Sequence, residues 1–123
     1  MRYLTERKRA EGLGASGEGT GHHWYMTVTS VTLAFLVPTF VLVFGRALGG
    51  TRAEVLEIFA RPVPAILTAL VLFVAMQHFW RGAQMMVSDY WRGSLRKGLI
   101  MLAIGLAYLV MVTGLYALAR IAL

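Results

Sequence analysis

Three long stretches of this chain carry no Lys, Arg, Asp or Glu: Gly19 to Gly45, Pro62 to Trp80, and Gly98 to Ala119. About 20 apolar residues cross a hydrocarbon core of about 30 Å as an α-helix. Inside lipid every backbone polar group needs a partner within the protein, and a helix supplies one for each. The expected fold is therefore an all-α membrane protein. Three transmembrane helices run up, down and up, with spans at about residues 24–44, 64–90 and 98–119.

Composition closes the soluble alternative. The chain has 123 residues, 58% hydrophobic and 15% charged, against roughly 25% charged in a soluble domain. A soluble domain this small could not hide so much apolar surface. There is no cysteine, which excludes disulfides, thiolate metal sites and iron–sulfur ligation by this chain.

The net charge of +6 does not point to nucleic acid, because the basic residues flank the apolar runs, where they anchor helices and set orientation. An up-down-up path puts the N-terminal segment and the second loop on one side. That side holds Arg2, Arg7, Lys8, Arg9, Arg92, Arg96 and Lys97; the other holds Arg46, Arg52, Arg61 and Arg120. The excess favours a cytoplasmic N-terminus, with the C-terminus on the opposite side; in a mitochondrion the N-terminal side would be the matrix.

Residues 1–21 read as a basic, Gly-rich cytoplasmic tail, and residues 22–123 as the three-helix anchor in the bilayer. Met1 to Gly21 lacks the apolar core of a cleavable signal peptide. Pro38 lies inside the first span and is expected to kink it. The loop from Gly45 to Pro62 contains a candidate short interfacial helix, Ala53 to Phe59. Pro62 and Pro64 suit the first turn of the second long helix. Gly105 and Gly114 are too far apart for a GxxxG contact but offer room for a close neighbour.

The second span is the one with chemistry. Its C-terminal half carries Gln77, His78, Arg81, Gln84, Ser88 and Asp89, and ionisable residues within a membrane are costly enough to need a reason. At about 100° per residue, positions 78, 82, 85 or 86, and 89 share one helix face. A neutral imidazole inside a bundle suits axial haem ligation. It equally suits an interhelical hydrogen bond. Gly82 leaves room beside His78 for a flat macrocycle. Asp89 and Tyr90 bring a carboxylate and a phenol to the helix end, where the phenol can donate to a quinone carbonyl; the pair also suits a helix end among headgroups. Met76, Met85 and Met86 read first as packing residues. Arg81 has three readings: snorkelling, pairing with a partner's acid, or meeting a haem propionate. His22 and His23 suit the interface beside Trp24, or contact with haem propionates or a quinone-site wall. Neighbours on a helix point apart, so these two make a poor metal chelate.

The run His78-Phe-Trp-Arg-Gly82-Ala-Gln-Met-Met-Val-Ser-Asp89-Tyr90 resembles the signature of the D-type hydrophobic membrane anchors of succinate dehydrogenase, respiratory complex II. That signature is a His, a Gly four residues later and Asp-Tyr eleven and twelve later, on the second of three spans. Gly19-Thr-Gly-His-His-Trp24 is similar to the segment before the first span in bacterial members, of the alphaproteobacterial kind. The resemblance covers nearly the whole chain and implies a bundle with a C-type anchor subunit. The two anchors would hold a flavoprotein and an iron–sulfur subunit at the cytoplasmic face. It implies that His78 is one axial ligand of a haem b shared with the partner anchor. It also implies that Tyr90, with Asp89 beside it, binds ubiquinone. Succinate oxidation would belong to the flavoprotein; the chain alone is not catalytic. Many members carry an arginine shortly after the His-Trp pair, where this chain has Met26, Thr27 and Val28; Arg81 is the candidate replacement.

Two other functions compete. One is a haem-free structural anchor or assembly protein, which a haem spectrum separates from the first. The other is a small transporter subunit using Asp89 as a proton-coupling carboxylate; three spans are few for that, and Asp89 lies at a helix end, away from the bilayer midplane.

Overall fold

The computed structural model describes residues 19–123. These form four helices: α1 Gly19–Ala47, α2 Arg52–Ala60, α3 Pro62–Tyr90 and α4 Gly93–Ala122. Three of them, α1, α3 and α4, are long and apolar enough to cross a membrane. They contain 29, 29 and 30 residues, or roughly 44 Å of helix at 1.5 Å per residue. That exceeds the hydrocarbon thickness, so their ends reach the headgroups or the helices tilt. The basic residues from Arg2 to Arg9 lie outside the described residues.

Local chemistry sets the boundaries. α1 runs unbroken through Pro38, which has no N–H to give the Ala34 carbonyl. It stops where Gly49 takes φ +80°, a conformation that costs glycine little. Gly50 N–H then donates back to the Ala47 carbonyl at 3.2 Å. The short interfacial candidate is a true helix, one residue longer at each end than the sequence suggests. Thr51 and Glu54 form a capping box at its start: the Thr51 hydroxyl accepts from Glu54 N–H, and the Glu54 carboxylate accepts from Thr51 N–H at 2.7 Å. α3 opens on Pro62, where a missing N–H costs nothing. Only Trp91 and Arg92 separate α3 from α4, and Gly93 turns the chain with φ +66°.

α3 is the central element. α1 and α4 each pack along it and make no close backbone approach to one another among the described residues, while α2 packs against all three long helices. α3 therefore uses two opposite stripes. Leu72, Met76 and Trp80 face α4. His78, Arg81 and Gly82 face α1.

Gly114 is the close approach between α3 and α4: a Cβ there would lie 2.5 Å from Leu72 Cδ2. Gly105 has open space, so only one of the two glycines marks a contact. Few side chains of the described bundle are buried. The buried apolar side chains are Ala47, Phe59, Ala65, Val87, Ala107 and Met111, while Phe35 and Leu42 stand 73% and 70% exposed. For the described residues, the apolar surface faces outward, as lipid and neighbouring chains require.

Candidate functional site

The site begins with three register pairs between α1 and α3. Thr29 Oγ1 lies 2.8 Å from His78 Nδ1. The Arg81 guanidinium carbon lies 3.5 Å from the centre of the Tyr25 ring. A Cβ on Gly82 would meet Met26 Cε at 3.6 Å. Tyr25 and Met26, a turn before Thr29 on α1, meet Arg81 and Gly82, a turn after His78 on α3, as antiparallel helices require.

Thr29 is the buried polar residue of this interface, 8% exposed. Its hydroxyl also donates to the carbonyl of Tyr25 at 2.9 Å, shared with that of Met26 at 3.1 Å. A hydroxyl has one proton and two lone pairs, so where that proton goes to these carbonyls the oxygen accepts from His78 Nδ1–H. The ring is then the tautomer whose Nε2 carries a free lone pair. No described residue takes up Nε2. The interhelical bond of His78 thus uses one ring nitrogen and leaves the other open. The room beside Gly82 is filled by the Met26 thioether end, a flexible group in ordinary contact.

Arg81 also lies 5.0 Å from the Trp80 ring centre, and its stacking is a cation–π contact in a poorly solvated place. Its Nε is buried without a partner among the described residues, as is His22 Nε2. Helical structure reaches back to Gly19, so His22 and His23 stand on α1 and point apart: His22 is half-buried and His23 exposed. No cluster of three His, Asp or Glu able to hold a metal ion occurs among the described residues.

Asp89 and Tyr90 end α3, about 16 Å along the axis from His78. Both are exposed, Tyr90 by 77%, and its ring meets Trp91 edge-on with centroids 6.0 Å apart. Neither hydroxyl nor carboxylate has a partner among the described residues. The chain by itself thus offers two separate stations on α3: an imidazole tied to α1, and an open carboxylate and phenol at the helix end. Sequence reasoning singles out His78, Arg81, Asp89 and Tyr90, but not Thr29 and Tyr25, which meet His78 and Arg81 from α1. Their signal is faint: Thr29 is one of several hydroxyl residues on α1, and only the interhelical register distinguishes it.

Comparison with known proteins agrees with this architecture. The family model of the succinate dehydrogenase/fumarate reductase transmembrane subunit matches residues 1–113. The succinate dehydrogenase hydrophobic membrane anchor subunit of Paracoccus denitrificans is 46% identical over 123 residues, covering 100% of this chain and 95% of that protein. No solved structure matches the chain. A match over so much of a chain with three membrane-length helices leaves one assignment: the chain belongs to the succinate dehydrogenase/fumarate reductase transmembrane subunit family.

Proposed function

We propose that this membrane anchor subunit of succinate dehydrogenase supplies one axial ligand of a haem b through His78 Nε2. We further propose that it supplies one wall of a ubiquinone site through Tyr90, with Asp89 beside it. The observation that carries the reading is the Thr29–His78 bond. It engages Nδ1 and leaves the other nitrogen as the unprotonated donor that haem iron takes.

The residues fit such a group. His78 would hold the iron. Arg81, reaching α1 at Tyr25, stands next to the Met26–Val28 segment and would meet a propionate. His22, with Nε2 buried and unpartnered among the described residues, is the second candidate; His23 is exposed and a weaker one. A haem b, when bound, supplies a one-electron carrier near the quinone. Tyr90 would donate its hydroxyl to a quinone carbonyl, and Asp89 would orient that hydroxyl or pass a proton to the reduced head group.

The remaining parts are other chains: a C-type anchor giving the second ligand, and iron–sulfur and flavoprotein subunits on the cytoplasmic face. A cytoplasmic N-terminus puts the α3 end with Tyr90 on that face, in a bacterial inner membrane. The open surface between α1 and α4 is where the C-type anchor would pack.

The test is the reduced-minus-oxidised spectrum of the complex purified from native membranes. A b-type haem is expected, and His78→Ala should abolish it; unchanged haem in that variant excludes the ligand role. The second reading is a haem-free anchor, and the same bond favours it, because Thr29 gives His78 an interhelical use without iron. A wild-type complex with full quinone reductase activity and no haem would establish that reading.

A further inference from the structure

We infer that Thr29 is a positioning residue for the haem ligand, fixing the tautomer and orientation of His78. This rests on the reading of His78 as an iron ligand and adds to it a residue on another helix.

Two hydrogen-bond arrangements are open to the pair. In the first, Thr29 donates to the Tyr25 and Met26 carbonyls, at 2.9 and 3.1 Å, and accepts from His78 Nδ1–H at 2.8 Å. In the second, Thr29 donates to an unprotonated Nδ1, and the ring proton moves to Nε2, which has no acceptor among the described residues. The first makes both bonds within the chain; the second makes one and leaves a donor in a poorly solvated place. The first is therefore the resting state, and it presents an Nε2 lone pair before any iron arrives.

Other hydroxyl residues of α1 do not repeat this. Thr27, Thr32 and Thr39 bond the carbonyl four residues back, but they face outward with no second partner. Thr29 alone among these four is buried. The Tyr25–Arg81 and Met26–Gly82 contacts on either side hold the register. A one-residue slip of α1 would swing Thr29 about 100° off the ring.

The hydroxyl has a second consequence. An imidazole that donates from Nδ1 is a stronger electron donor at Nε2. It stabilises the ferric state, so the bond lowers the haem midpoint potential relative to a ring without it.

Thr29→Val keeps the branched shape and loses the oxygen; Thr29→Ser keeps the oxygen. Both are made in the full complex and examined by redox titration, haem content and the ferric electron paramagnetic resonance spectrum. Thr29→Val should raise the midpoint potential, alter the ferric spectrum and weaken haem retention about ten- to a hundredfold. Thr29→Ser should match wild type. Val with wild-type potential and spectrum overturns the inference, and so do Val and Ser variants altered alike, which would mean packing alone. If the wild-type complex lacks haem, or His78→Ala keeps it, the ligation reading itself fails. That result is distinct from a haem-loaded, His78-dependent complex indifferent to Thr29.

Discussion

The guanidinium carbon of Arg81 on α3 sits over the ring of Tyr25 on α1, 3.5 Å from its centre. Arg81 is the one charged residue between Arg61 and Asp89, and its stacking spreads that charge over an aromatic face in place of water. Such contacts contribute about 0.5–2 kcal/mol, more where solvent is scarce. Tyr25→Phe keeps the ring and should leave the thermal stability of the solubilised complex near wild type. Tyr25→Leu should lower it by about that amount. Arg81→Lys should do the same, because an ammonium keeps the charge but loses the planar stack. Equal stability of the Phe and Leu variants would show that the ring face does not matter.

The Leu72–Gly114 approach gives a second test. A methyl at position 114 would sit 2.5 Å from Leu72 Cδ2, so Leu72 must leave its rotamer. Because the obstacle is the end of a flexible side chain, Gly114→Ala should cost only about 0.5–1.5 kcal/mol, the scale of an off-rotamer side chain. Gly114→Val adds bulk and should cost about 1–3 kcal/mol, the range of overpacking. Leu72→Ala in the Gly114→Val background should recover part of the loss, a coupling read by a double-mutant cycle. Gly105→Ala, in open space, is the neutral control. Additive effects at 72 and 114 would show that the helices separate to make room.

Outside the membrane spans, Glu54 reports on the α2 cap. The Thr51 backbone N–H donates to its carboxylate, and so does the Thr51 hydroxyl; together these hold its pKa below the ordinary value. A group with a lowered folded pKa adds stability above its unfolded pKa and loses it as pH falls through the folded value. Glu54 should therefore titrate below a free glutamate by carboxyl carbon NMR in micelles. In a Thr51→Ala protein the pKa should rise, since the hydroxyl bond is gone. Fraying of α2 should begin on the acid side of neutrality, and earlier in that variant. Identical titration of the two proteins would remove the hydroxyl from the cap.

How far the sequence reveals this molecule depends on the range of the force. Uncharged runs mark the three long helices, because desolvation acts on every residue of a span. Pro62 and the Thr51–Glu54 spacing mark helix starts, because caps act within one turn. The polar face of α3 is likewise visible from spacing alone. What spacing cannot give is which residue of α1 lies opposite His78. That depends on register between helices 49 positions apart in the chain, fixed by Met26 seating on Gly82 and Tyr25 on Arg81. Thr29 is thus indistinguishable in sequence from Thr27 or Thr32. The role of Gly114 over Gly105 is hidden for the same reason.

Orientation is directly measurable because the chain has no cysteine. Ala53 and Ser94 are both exposed and lie in α2 and at the start of α4. Excess positive charge on the tail side predicts that Ala53 faces the periplasm and Ser94 the cytoplasm. In spheroplasts, Ala53→Cys should react with a membrane-impermeant maleimide, and Ser94→Cys should react only once the membrane is opened. The opposite pattern would place Tyr90 on the periplasmic side, away from any cytoplasmic electron donor.

Tyr90 then carries the sharpest functional prediction. The residue stands 77% exposed at the end of α3, where its hydroxyl would meet the proposed quinone. Tyr90→Phe keeps the ring against Trp91 and removes only the donor. A hydrogen bond of about 1–2 kcal/mol corresponds to roughly a five- to thirtyfold loss in quinone reduction. Succinate oxidation with a soluble dye as acceptor should stay near wild type, because that reaction ends before electrons reach the membrane. Asp89→Asn keeps the size and removes the charge, so it should reduce the quinone rate and shift its pH profile, with the dye rate again unaffected. Equal loss of both activities in Tyr90→Phe would mean that the variant disturbs assembly, and the quinone role of this helix end would have to be abandoned.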